Sequence, residues 1–183
     1  APTGIGVVRD RILLEVNPRI CEMIGYSKEE LVGQSARILY PTQEDFDFVG
    51  SEKYKQIAQK GSGVVETRWQ KKDGSIIDII LASTPIDLAD LSKGVTFTAL
   101  DITERKLMED ALRESEEKYR RLFDNAILGI FQSTPEGKAI STNYAFAHMF
   151  GYNSPEDAIK SIKNVATDIF ADPNRRAEII RLM

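Results

Sequence analysis

Three features of this sequence predict an α+β fold. Short aliphatic runs come first, a series of helix-capping patterns follows, and the apolar period then falls to two, so strands lie on both sides of a group of helices. A stretch near the start recurs further on: Asn17 returns as Asn143, Met23 as Met149, Gly25-Tyr26 as Gly151-Tyr152 and Glu30 as Glu156, at an offset of 126 residues. Between the two copies stands the most polar long stretch of the chain, Asp101 to Phe123. The repeat is too long for a stacked solenoid, whose period is roughly 20 to 50 residues, so the copies are tandem domains.

Each element of the first copy has a local cause. Gly4 to Val8 and Ile12 to Val16 are aliphatic runs around Arg9-Asp10-Arg11, which predicts a tight hairpin. Asn17 offers an N-cap and Pro18 needs no N–H partner in a first helical turn, so a short helix begins there and stops at Gly25. Ser27 and Glu30 form a capping box for another helical turn that ends near Gly33. Thr42 to Lys60 reads as a longer helix with Phe46, Val49, Tyr54 and Ile57 as its apolar positions, and Gly50 is expected to interrupt it.

After Gly61-Ser62-Gly63 two strand-like segments meet at Lys72-Asp73-Gly74, a strong hairpin signal. Gly94 to Asp101 closes the unit, with Val95, Phe97 and Ala99 on one face and Thr96, Thr98 and Leu100 on the other.

The charged segment reads as a helix from Ile102 to Asn125, on the order of 35 Å long at about 1.5 Å per residue. Asp101 and Glu104 fit a capping box at its start. Met108, Leu112, Tyr119, Leu122 and Ala126 follow heptad spacing once Ser115 is allowed. Glu109 with Arg113, Glu114 with Lys118, Glu116 with Arg120 and Glu117 with Arg121 place acid four residues before base. A flexible tether would be rich in Gly and Ser, whereas this connector is stiff. It serves either as a solvated spacer or as a dimeric coiled coil with Met108, Leu112, Tyr119 and Leu122 on its face.

The order of elements, Asn17-Pro18 opening a helix that ends in Gly25-Tyr26-Ser27, Lys72-Asp73-Gly74-Ser75 between the long strands, and Asp101-Ile102-Thr103-Glu104-Arg105 at the end together resemble a PAS domain. Ser115 to Phe131 resembles the entry to a second one. The resemblance implies a PAS-like five-stranded antiparallel sheet with flanking short helices over residues 1–102, a connector over 103–125 and the N-terminal half of a second unit over 126–183. The first unit then lacks its entry helix. The second, short of three strands, is expected either to be poorly ordered alone or to be completed by further sequence.

The resemblance also implies roles. Asp101, Thr103 and Arg105 of the terminal motif become candidates for relaying strain from sheet to helix, with ordinary capping as the plain alternative. Tyr40, Tyr54, Thr67, Trp69, Ser83 and Thr98 become candidates to line a ligand pocket, Trp69 serving either ligand stacking or packing. The cofactor is unknown, and a small organic ligand would suit such a pocket. Light-oxygen-voltage members carry a flavin-attacking cysteine where Gly33 to Tyr40 has Ala36, which argues against covalent flavin photochemistry. Haem-binding members use a histidine on the long helix, and Thr42 to Lys60 has none. His148, the one histidine, is read as a surface or packing residue, and Cys21 as a small buried filler.

No phosphate loop, metal-ligand spacing or nucleophile with its base appears, so no catalytic or metal-binding residue is expected. A net charge of −4 offers no field for nucleic acid, and no apolar run reaches roughly 18 residues, so no membrane contact is expected in this stretch and a cytoplasmic setting is the default. The reading is a sensory and dimerisation module, a homodimer acting on an effector domain further along the same chain. The PAS resemblance implies a parent of sensor histidine kinase type, with a diguanylate cyclase or phosphodiesterase regulator, or a ligand-free scaffold, as alternatives.

Overall fold

The computed structural model describes residues 3–172 together with Arg175, Glu178 and Arg181. It divides into two compact units, residues 1–109 and 110–183, and the division falls inside the connector helix.

In the first unit, β1 (Gly4–Arg9) and β2 (Ile12–Val16) form the expected hairpin. Asp10 and Arg11 at its tip both have positive φ, 52° and 63°, the handedness a two-residue turn needs to match strand twist. Asp tolerates that conformation, but Arg pays for it. Asn17 caps α1 (Pro18–Ile24), which ends at Gly25 with φ 77°. Ser27 and Glu30 complete their capping box on α2 (Lys28–Leu31), and a 3-10 turn spans Ala36–Leu39.

Helix α3 (Gln43–Lys60) runs unbroken through Gly50, contrary to expectation. A Cβ there would lie 2.8 Å from the Arg11 guanidinium. Gly50 is therefore the recess into which Arg11 lies, and packing outweighs its intrinsic helix penalty of about 1 kcal/mol.

Strands β3 (Gly63–Gln70) and β4 (Ile76–Pro85) meet at the Asp-Gly turn, and β5 (Val95–Asp101) completes an antiparallel sheet of order β2-β1-β5-β4-β3. Alternate residues point inward: Val65 and Trp69 from β3, Ile77, Ile79, Leu81 and Ser83 from β4, Val95, Phe97 and Ala99 from β5. They pack with Leu13, Ile20, Ile24, Leu31, Leu39, Val49 and Ile57 in one core between the sheet and the helices. Each large aliphatic or aromatic chain so buried contributes roughly 1.5 to 3 kcal/mol.

Helix α4 (Thr103–Asp124) buries none of its side chains, and Ala126 lies beyond its end. Of the four expected ion pairs only Glu117 with Arg121 forms, at 3.4 Å. Arg113 turns to Asp110 at 3.1 Å and Glu109 to Arg105 at 3.7 Å, because each long side chain has more than one acid within a turn.

In the second unit, β6 (Phe131–Ser133) and β7 (Ala139–Thr142) form a two-stranded sheet, followed by α5 (Tyr144–Met149), α6 (Pro155–Ser161) and α7 (Val165–Asp168). Ala139, Phe146, Ala147, Ala158, Ile162 and Val165 form its core. Ile140, Tyr144 and Met149 are exposed, and so is His148.

Candidate functional site

Two places in the first unit gather polar groups that simple solvation does not explain. The first is the junction of sheet and connector, where Asp78 of β4 is the centre. Its backbone N–H donates to Thr103 Oγ1 at 2.9 Å and its carbonyl accepts from Ile102 N–H at 2.9 Å. Its carboxylate Oδ1 accepts from Lys106 Nζ at 3.0 Å, and Lys106 also lies 3.2 Å from Glu66 Oε2. These hydrogen bonds, to Asp78 first and Glu66 next, raise the Lys106 ammonium above its ordinary range. Ile102, 4% exposed, plugs the corner between strand and helix.

Asp101 Oδ1 accepts from Thr103 N–H two residues on, at 2.9 Å. It is the last residue of β5, and this local turn replaces the expected capping box with Glu104. Of the three relay candidates the structure brings Asp101 and Thr103 together. Arg105 is exposed and makes its ion pair along the helix with Glu109, so Lys106 holds the place expected of it. Asp78, a lone charge inside the aliphatic run Ile76 to Leu81, was the signal that could have found this junction.

The second place is a cavity of about 20 Å³ lined by Val8, Leu13, Ala36, Leu39, Phe46, Leu81 and Phe97 and by four polar residues, Arg11, Tyr40, Lys53 and Trp69. Tyr40 and Trp69 are the two pocket candidates that line it. Trp69 is 1% exposed and meets Phe97 edge-on at 6.3 Å, and its Nε1 makes no hydrogen bond of normal geometry. Burial pushes the Tyr40 phenol up to about 12, against the opposing pull of the Trp69 indole and the Arg11 charge.

The other pocket candidates fall elsewhere. Ser83 is on the inward face of β4, buried, with its Oγ unpartnered, but it does not line the cavity. Thr67 is half-buried on the inward face of β3, and Tyr54 half-buried on α3, both outside the lining. Thr98 is a correction: it shares the outer face of β5 with Thr96 and Leu100, opposite Phe97, because side chains alternate along a strand.

Arg11 and Lys53 are the cavity residues that sequence reasoning missed. The Arg11 guanidinium lies over the Phe46 ring, 3.1 Å from its centroid, donates to the Phe46 carbonyl and sits 3.8 Å from Asp47. Lys53 is 6% exposed, and its ammonium is 4.9 Å from the Tyr54 ring centroid. Burial, and then the Arg11 charge, lower it to about 8. Its spacing was the available signal, since Lys53 stands four residues from both Val49 and Ile57 on the apolar stripe of α3.

On the connector, Met108, Leu112, Tyr119 and Leu122 are each more than half exposed. In the second unit, buried Asn143 donates to Phe123 O at 3.0 Å and Leu128 O at 2.9 Å, and accepts from Ile130 N at 2.8 Å and Phe146 N at 2.9 Å. Its side chain therefore ties the last turn of α4 to the opening of β6. No described helix is long and apolar enough to cross a membrane.

Family models described as PAS domain match residues 2–104 and residues 117–181. The chain is 35% identical over 118 residues to the sensor protein TdiS of Thauera aromatica, covering 64% of this chain and 21% of that protein. It is 24% identical over 176 residues to the C4-dicarboxylate transport sensor protein DctS of Rhodobacter capsulatus, covering 92% of this chain and 27% of that protein. It thus spans about a quarter of the length of these relatives. The crystal structure of the PAS domain of a protein from Colwellia psychrerythraea superposes with a TM-score of 0.52 at 26% identity, covering 57% of this chain and 89% of that one.

Proposed function

The chain belongs to the PAS domain family, with two such domains in tandem, and on that footing we propose that its connector helix relays conformational strain from the first domain to the second within a homodimer. PAS domains of this kind are sensory modules of signalling proteins, and the parent we assign is a multidomain sensor of histidine kinase type. Both named relatives are sensor proteins far longer than this stretch, which supports an effector domain elsewhere in the same chain. Catalysis then belongs to that effector and not to these two units.

One observation carries the reading: α4 is a single helix held at each end by a built junction, Asp78 with Thr103 and Lys106 at one end and Asn143 with Phe123 at the other. A small movement of β4 reaches a stiff rod through three separate hydrogen bonds. The exposed stripe of Met108, Leu112, Tyr119 and Leu122 supports self-pairing of that rod, since burying it removes apolar surface from water at about 25 cal/mol per Å².

Cysteine scanning tests it. In a Cys21→Ser background, single cysteines at Met108, Leu112, Tyr119 and Leu122 should form intermolecular disulfides quickly, and cysteines at Asp110 and Lys118 slowly. Uniform rates, or a monomer by sedimentation, would overturn the homodimer and with it the relay. The small cavity favours one further reading, a scaffold whose interior is filled by its own side chains.

A further inference from the structure

The polar groups around the interior cavity share one property. Arg11, Lys53 and the Trp69 indole are donors only, Tyr40 donates when its oxygen is met by an acceptor, and no carboxylate lines the space. Lys53 is 6% exposed, and its ammonium has no hydrogen bond or ion pair among the described residues. Its ammonium faces the Tyr54 ring. Arg11 reaches the same space from the tip of the β1–β2 hairpin, at φ 63°. Its nearest acid, Asp47, is 63% exposed and 3.8 Å away. Two cations therefore share an apolar chamber with no acid in its wall, an arrangement whose cost a bound negative charge would offset.

Size narrows the class. A volume of about 20 Å³ suits only a compact ligand, whereas ring cofactors and drug-sized ligands occupy pockets of roughly 300 Å³ or more. We propose that this cavity binds a compact monovalent anion, a halide or the carboxylate of a short acid, between Arg11 and Lys53, with Trp69 Nε1 and the Tyr40 hydroxyl completing its hydrogen bonds. That the anion is a signal rests on the sensory reading above, but its binding does not.

Trp69 is the only tryptophan and lines the cavity, so intrinsic fluorescence reports this site directly. The whole chain is titrated with sodium chloride, formate and acetate in turn, ionic strength being held constant with gluconate, which is too large to enter. A saturable Trp69 response is expected. Response to chloride alone assigns a halide, and response to formate or acetate assigns a carboxylate.

Lys53→Met, which keeps the volume and removes the charge, should weaken binding at least tenfold. Arg11→Gln supplies the second test should the first variant fail to fold. Acetamide, the neutral counterpart of acetate, should bind at least tenfold more weakly. No saturation with any anion, undiminished binding by Lys53→Met, or equal binding of acetamide overturns the proposal. If the anion binds while the disulfide pattern along α4 stays uniform, the site stands and the relay fails. If no anion binds but the striped pattern appears, only this inference falls.

Discussion

The two units contain the same device with different reach. In the first, Asn17 Oδ1 accepts from Ile5 N at 3.0 Å and Ile20 N at 3.1 Å, and its Nδ2 donates to Thr3 O at 3.2 Å. In the second, Asn143 makes the matching bonds to Ile130, Phe146 and Leu128, and adds one to Phe123 on the connector. A single amide side chain thus staples strand to helix in both copies, and in the second it also grips the incoming helix. The surroundings differ too: Asn143 is 0% exposed while Asn17 is half-buried, so water reaches the Asn17 amide more readily.

Asn143→Ala should therefore have the largest effect, about 2 to 3 kcal/mol, since it removes four hydrogen bonds, one of them to the buried Phe146 N–H. Asn17→Ala should cost only about 1 kcal/mol, the usual worth of an N-cap. Hydrogen exchange at the Ile130 and Phe146 amides reports the former, and urea denaturation followed by Trp69 fluorescence the latter. Equal costs would break the comparison.

The next effect is internal to the first unit, which buries a cation where the described residues of the second bury only Thr142 and Asn143 among polar side chains. The Lys53 ammonium sits at about 8 in the folded chain against 10.5 when exposed. Between these values the unfolded chain binds the extra proton, so stability should rise with pH from about 8 by about 2 kcal/mol. Above roughly pH 10 the raised phenols of Tyr40 and Tyr54 act in the opposite sense. Lys53→Met should flatten that rise and increase stability near pH 7 by about 2 kcal/mol, read from urea midpoints.

A smaller loss, about 1 kcal/mol, is expected for Thr103→Val, which strands the Asp78 N–H while keeping shape. Lys106→Met should cost less than about 0.5 kcal/mol, because its ion pairs are solvent-exposed. If Lys106→Met proves the costlier of the two, the junction is held by charge and not by the hydroxyl.

What the sequence made legible was local. Asn17-Pro18 before a helix, Ser27 with Glu30, Asp73-Gly74 between strands and the alternation in β5 each act within four residues, and the structure has all of them. The sheet followed from these signals and the family resemblance. The candidate site was less legible because its contacts span the chain: Asp78 meets Thr103 and Lys106, and Arg11 meets Phe46. Gly50 was misread as a break because its recess is filled by a residue 39 positions away in sequence, Arg11. The family resemblance puts Thr98 among the pocket candidates, though its own alternation with Phe97 points it the other way.

A rod of 22 residues with no buried side chain draws little strength from its middle. In proteins most of a helix's stability comes from packing an apolar face against a partner, and not from intrinsic propensity. The connector is therefore a beam propped at its two ends, and its straightness is a variable that whatever binds alongside, or loosens either prop, can raise or lower. If the proposed relay runs through such a beam, it needs no tilt or slide, because a change in the stiffness of its centre would suffice.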